Sequence, residues 1–297
     1  MSSTRVTPIP ALSRSWAYVS LAKPDVTFLV VLTTMAGYYL GARGPVSPVG
    51  MLNAVFGTLL VAAGTAALNQ YVERASDALM RRTSSRPLPL GVLRPAEALT
   101  FGAGLVIFGG FYLVLLANWL ACVLALLTSV LYLGLYTPLK KRTTWATAIG
   151  AFPGALPPLI GWAAARGSIA GNAWLLFAIL FLWQFPHFYS IAWIYREDYA
   201  RADIRMLPVL DRSGSATFGQ IIFTAVALVP VSLLPSVVGL AGIRYFFGAL
   251  ILGMALVQVC LWASRTRTNV RAKWLMHATV AHIPVLLGLL MLDKIVR

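Results

Sequence analysis

The chain has 297 residues, of which 59% are hydrophobic and 11% charged, with 24 basic residues against nine acidic ones and a net charge of +15. A soluble domain carries about 25% charged residues, so this composition cannot cover a soluble surface, and its apolar richness excludes a disordered chain. Long apolar runs separate the basic residues, so the basic excess does not read as nucleic-acid binding, and a membrane protein with cationic loops is the better reading.

Taken in chain order, the apolar runs predict spanning helices near 25–42, 48–72, 96–116, 118–136, 144–165, 172–194, 216–238, 243–263 and 273–292. The expected fold is therefore an all-α membrane protein, a bundle of about nine transmembrane helices. Residues 1–24 read as an N-terminal arm and 25–297 as one transmembrane domain. A membrane β-barrel is excluded because the runs are continuous rather than alternating. The fifth run contains Pro153, Pro157 and Pro158, which predicts a kink where proline removes a backbone donor. The arm holds Arg5, Arg14 and Lys23 but no long apolar core, so it does not read as a cleaved signal peptide. Cys122 and Cys260 both lie inside apolar runs, which speaks against a structural disulfide.

Nineteen of the 24 basic residues fall in the arm and in the connections after the second, fourth, sixth and eighth helices. Arg43, Arg166, Arg244, Lys294 and Arg297 fall on the other side. The positive-inside rule then places the N-terminus in the cytoplasm and the C-terminus outside.

The acids are too few to be scattered decoration. Asn69, Glu73 and Asp77 are spaced at i, i+4 and i+8, which keeps all three on one helix face. Three oxygen-bearing side chains at a helix end suit a hard cation such as magnesium. The plain alternative is a solvated helix end in which the acids pair with Arg74 or Arg81. The next stretch, Met80 to Pro89, carries Arg82 and Arg86, and arginine suits bidentate phosphate binding. Lys140, Lys141 and Arg142 stand together after the fourth helix. They could neutralise a leaving diphosphate, or set topology, or meet anionic headgroups.

A second acidic cluster follows the sixth helix, where Glu197 and Asp198 lie among Arg196, Arg201 and Arg205. Two carboxylate clusters on one membrane face, each mixed with arginine, look like a clamp for a metal-bound diphosphate. A network of surface ion pairs, each worth little, is the competing explanation. His187 lies inside the sixth run in the string Trp183-Gln184-Phe185-Pro186-His187-Phe188, and ionisable residues within a span are costly and usually functional. It could meet a haem iron, shuttle a proton or hydrogen-bond within the bundle. His277 and His282 are five apart and do not share a helix face well. No P-loop, dinucleotide fingerprint, zinc-site spacing or hydrolase elbow is present.

These residues resemble the UbiA superfamily of intramembrane prenyltransferases, and within it the haem-farnesylating (haem O synthase) branch. The family's Asn-x3-Asp-x3-Asp motif falls on Asn69, Glu73 and Asp77, followed by Met80, Arg82-Thr83 and Arg86-Pro87. Tyr136 to Lys140, Gly150 to Trp162, Trp183 to Phe188 and Arg196-Glu197-Asp198-Tyr199 fit as well. Two positions depart from the pattern: Glu73 stands where the family has aspartate, and Asp203 where glycine is expected.

The resemblance implies farnesyl diphosphate and protohaem IX as substrates, Mg2+ as cofactor, and haem O as product. It implies a metal site of Asn69, Glu73, Asp77, Glu197 and Asp198. Arg82, Arg86, Lys140, Lys141, Arg142, Arg196 and Arg201 would bind diphosphate. Asn69, Asp77, Lys140 and Asp198 would carry the chemistry, with His187 and Tyr136 at the haem. The expected location is a bacterial cytoplasmic membrane, in contact with the lipid bilayer. A downstream haem-modifying enzyme or terminal oxidase is a candidate partner. The competing readings are a prenyltransferase for an aromatic quinone precursor and a secondary transporter for an anionic solute, although transporters tend toward midplane sites.

Overall fold

The computed structural model describes residues 13–169 and 171–295, so Arg5 and Arg297 of the charge tally lie outside the described residues. The described residues are helical almost throughout, and no strand forms among them. A short helix α1 (Arg14–Leu21) leads into α2 (Pro24–Gly41), and the two are bent by 46°. Then follow α3 (Pro48–Leu79), α4 (Pro95–Leu116) and α5 (Trp119–Val130). A π-helical turn (Leu131–Tyr136) and α6 (Thr137–Leu139) complete the fourth span. The next span is α7 (Ala146–Gly154) plus α8 (Pro157–Arg166), and after it come α9 (Gly171–Ile194), α10 (Arg196–Arg201) and α11 (Leu207–Leu210). The last three spans are α12 (Ser215–Val237), α13 (Ile243–Thr266) and α14 (Asn269–Leu292). Among the described residues, eight spans are long and apolar enough to cross a membrane alone, and the bent α1–α2 pair is a ninth when taken as one span.

Local sequence explains the helix starts. Pro24, Pro48, Pro95 and Pro157 each occupy a first helical position, where the missing N–H is not needed and the fixed φ suits a helix. Ser47 caps α3 by accepting from the Gly50 N–H at 3.1 Å, and Thr268 caps α14 through Arg271. The expected kink in the fifth span is a break: α7 stops at Gly154, and Pro157 opens α8. Proline cannot supply the donors that would continue the first piece into the second.

The second span runs seven residues farther than hydropathy predicted, to Leu79 rather than 72. Polar residues end the apolar signal there but not the helix. The whole Asn69–Asp77 set is consequently helical.

The helices are held close where side chains are smallest. A methyl group at Gly161 of α8 would lie 1.9 Å from the Thr34 carbonyl oxygen of α2, and one at Gly37 would lie 2.0 Å from the Pro158 carbonyl oxygen. Dispersion between close backbones, rather than hydrophobic exclusion, drives helix association in lipid. Gly161→Val is therefore expected to destabilise by at least about 1–3 kcal/mol, seen as a lower midpoint in thermal unfolding of the detergent-purified protein.

Candidate active site

The C-terminal ends of α3, α6 and α9 meet the N-terminal end of α2 at one end of the bundle. Asn69, Glu73 and Asp77 are all buried on one face of α3. Burying oxygen-bearing groups there is costly unless each finds a partner, and three cations approach the face. Lys23, just before α2, donates from Nζ to Asn69 Oδ1 at 2.7 Å. Lys140, just after α6 and itself buried, pairs with Glu73. Arg86 donates from Nη1 to Asp77 Oδ2 at 2.7 Å. Asp77 Oδ1 is buried and has no hydrogen-bond partner among the described residues.

The π turn explains how Lys140 arrives. A π turn inserts an extra residue into a helix and re-aims the residues beyond it. Thr137, directly after it, donates to the Tyr132 carbonyl at 2.8 Å and accepts from Asn69 Nδ2 at 3.2 Å. Lys140 comes one turn later, with its Nζ 6.0 Å from the centre of the Tyr136 ring. The Arg205 N–H donates to the Lys140 carbonyl at 2.8 Å, tying this segment to the connection after α10.

The second acidic cluster works differently. Asp198 accepts from the backbone N–H of Arg81 at 3.3 Å and of Arg82 at 3.2 Å, and it pairs with Arg201. Its carboxylate thus clasps the turn after α3 onto α10. Glu197 is exposed. Arg82 lies over the Tyr195 ring at 4.7 Å and the Tyr199 ring at 5.7 Å, turned to these tyrosines. Arg196 stacks on Trp193 and donates to Asn269 Oδ1 at 2.7 Å, so it faces the start of α14. Lys141 and Arg142 are exposed beyond Lys140.

His187 pairs through Nδ1 with Thr279 Oγ1 at 2.9 Å and stacks on Trp183 at 5.0 Å. Tyr136 instead packs with the cluster of Met80, Ala192, Tyr199 and Met206. The two predicted porphyrin contacts therefore sit in different surroundings.

Two participants were not anticipated. Lys23 is one; a lone lysine directly before the proline that opens the first long apolar run was the available signal. Thr137 is the other, and only the π turn reveals it. The departure at Asp203 also finds its reason. Asp203 adopts φ +52°, a left-handed conformation that glycine takes freely and aspartate tolerates better than most residues.

The donor set fits a hard cation. Asn69, Glu73 and Asp77 each present side-chain oxygen on this face, and Asp77 Oδ1 has no hydrogen-bond partner among the described residues. Among the described residues no three His, Cys, Asp or Glu side chains converge as a ready metal cage. A magnesium ion would therefore keep waters or share ligands with a phosphate, as this ion commonly does.

Residues 30–282 match the UbiA prenyltransferase family. The chain belongs to the UbiA prenyltransferase family. It is 46% identical to the protoheme IX farnesyltransferase of Solibacter usitatus, over 93% of this chain and 98% of that one. It is 45% identical to the enzyme of the same name from Koribacter versatilis, covering 93% of each, and 44% to that of Salinibacter ruber, covering 94% and 98%. The fold is similar to a UbiA homolog from Archaeoglobus fulgidus bound to DMAPP and Mg2+, with TM-score 0.64 at 12% identity, over 90% of this chain and 98% of that one. A UbiA homolog from Aeropyrum pernix K1 in its apo form gives TM-score 0.73 at 18% identity, over 90% and 97%. This UbiA family member is a prenyltransferase and a multi-pass integral membrane protein.

Asp198→Ala would leave two backbone donors and Arg201 without their shared acceptor. It is expected to cost about 1.5–3 kcal/mol, the range for hydrogen bonds to a charged group, read as a lower thermal midpoint and faster proteolysis at the Met80–Arg86 turn.

Proposed function

We propose that this chain transfers the farnesyl group of farnesyl diphosphate to a vinyl group of protohaem IX, giving haem O. The site lies at the cytoplasmic face of a bacterial inner membrane, with the N-terminus on that side. The carrying observation is the buried face of Asn69, Glu73 and Asp77 opposed by Lys23, Lys140 and Arg86. Such an array suits a diphosphate group: the cations neutralise its charge and the oxygens hold its metal. The acceptor follows from the name shared by the three relatives at 44–46% identity.

Asn69, Asp77 and, with a longer reach, Glu73 would hold Mg2+, which when bound would supply positive charge to the departing diphosphate. Lys23, Lys140 and Arg86 would leave their amide and carboxylate partners and donate instead to the phosphate oxygens. The C–O bond to the farnesyl C1 then breaks with both electrons leaving on diphosphate. The vinyl carbon attacks C1, and water captures the new porphyrin-side cation and loses a proton. The apolar bundle limits water at the first cation. His187, whose Nδ1 is held by Thr279, would present Nε2 to the porphyrin.

Incubating the purified protein with protohaem, farnesyl diphosphate and magnesium should yield a porphyrin heavier by the hydroxyfarnesyl addition, detected by mass spectrometry. Prenylation of an aromatic quinone precursor with no change to the porphyrin would instead select the competing reading. Asp77→Asn, which keeps an oxygen to accept from Arg86, should lower turnover by at least about a hundredfold while the protein still purifies folded, and full activity would remove Asp77 from the site. Lys23→Met should raise the KM for farnesyl diphosphate about tenfold, the loss of one charge-assisted hydrogen bond, with the acceptor KM unchanged.

A further inference from the structure

A cavity of about 100 Å3 opens at the end of the bundle opposite the active site, where α2, α8, α12 and α14 stop and α9 begins. Its polar side chains are Arg166 from the last turn of α8, Asn172 from the first turn of α9 and Lys294 from beyond α14. No carboxylate lines it among the described residues, so its formal charge is +2. Only five of the 24 basic residues fall on this side of the charge pattern, and two of them converge here.

Both cations are partly committed, and the commitment fixes their direction. Arg166 donates from Nε to the Gly41 carbonyl and lies over the Trp162 ring at 4.7 Å. Its two Nη groups form no hydrogen bond among the described residues. Lys294 donates from Nζ to the Tyr39 carbonyl at 2.7 Å and the Ala42 carbonyl at 2.8 Å, which uses two of three ammonium protons. Capping the last carbonyls of α2 therefore leaves the guanidinium fork and one ammonium proton. Neither cation forms an ion pair with a carboxylate among the described residues. The neighbouring acid, Asp293, is turned instead to the Tyr245 N–H. Burial and the Arg166 charge both hold the Lys294 pKa below its ordinary value, as expected where positive charge lacks a counterion.

We infer that this cavity binds a phosphate anion through the Arg166 fork, the remaining Lys294 proton and the Asn172 amide. A guanidinium fork pairs bidentately with phosphate oxygens. The first-turn N–H groups of α9 have no intrahelical partner and favour negative charge beside Asn172. The volume is small for a drug-sized ligand, whose sites run to about 300 Å3 or more, but it admits a phosphate group. Tyr39 and the exposed Trp174 stand in the adjoining last turn of α2 and first turn of α9, and such rings mark the headgroup level of a bilayer. A lipid phosphodiester and inorganic phosphate share the required chemistry. Either would tie together the ends of α2, α8 and α9 and the segment after α14.

The thermal midpoint of the detergent-purified full chain tests this, because a ligand that binds only the folded state raises it and yields an apparent Kd. The probes are inorganic phosphate, short-chain phosphatidylglycerol and short-chain phosphatidylcholine, each titrated at constant ionic strength. Asn172→Asp adds a carboxylate to the cavity and leaves both caps of α2 in place. A carboxylate suits the first turn of a helix, so this variant should fold even if Arg166→Gln does not. The wild type should show a saturable rise with phosphatidylglycerol, with inorganic phosphate or with both. Asn172→Asp and Arg166→Gln should each weaken that binding at least about tenfold. Arg244→Gln, at the same end but outside the cavity, should stay within about twofold of wild type. A rise with phosphatidylglycerol alone supports the inference with a lipid as the source, and a rise with inorganic phosphate alone supports it with the free ion. No saturable rise with either would overturn it. So would a wild-type response in Asn172→Asp, or an equal response to phosphatidylcholine.

Discussion

Charge placed at the end of an apolar bundle has to be matched locally, because neither lipid nor packed helices can solvate it. Everything at the site end of this protein depends on that constraint. Asn69, Glu73 and Asp77 are buried together on α3, and each is met by a cation from a different element. Lys23 arrives from before α2, Lys140 from after α6, and Arg86 from the connection beyond α3 itself. The matched set therefore also joins three parts of the chain. Without the carboxylates these cations would repel one another, and without the cations the carboxylates would be stranded. Such a set is stable when empty yet ready to exchange its partners for an incoming ligand of either sign.

The acids outside this set show how sparingly the chain uses negative charge. Glu97 accepts from the Arg94 N–H at the start of α4 at 2.7 Å. Asp211 accepts from the Thr217 N–H in the first turn of α12 at 2.8 Å. Asp293, at the opposite end of the bundle, accepts from the Tyr245 N–H in the first turn of α13 at 2.8 Å. Each places a carboxylate at a helix N-terminus, where unpaired N–H groups and the helix dipole favour it. Acids here serve the backbone or the buried face, and few are left for ornament.

Much of this was legible in the residues. The spans follow from uninterrupted apolar runs, and the break between α7 and α8 from the prolines at 153, 157 and 158. The shared face of Asn69, Glu73 and Asp77 follows from spacing alone. The features that escaped did so for physical reasons. Hydropathy registers where a helix leaves the apolar layer, not where its hydrogen bonds stop, so the final turns of α3 were missed. A π turn changes register by one residue without changing composition, so the contacts of Thr137 with Asn69 and of Lys140 with Glu73 were invisible, although Lys140 itself was expected at the site. The bonds from Asp198 to the N–H groups of Arg81 and Arg82 were also invisible, because backbone donors are present in every sequence and mark none.

That last bond has an evolutionary consequence. Asp198 grips the main chain at positions 81 and 82, and leaves the side chains there out of the grip. The hold that Asp198 has on the turn does not depend on which side chains stand at those two places, provided each retains its N–H. Scaffold and lining are thereby decoupled: a descendant could exchange both arginines for other side chains and inherit an intact wall with new chemistry on it. Exchange at these two positions would therefore change the charge of that wall without costing the turn its anchor on α10.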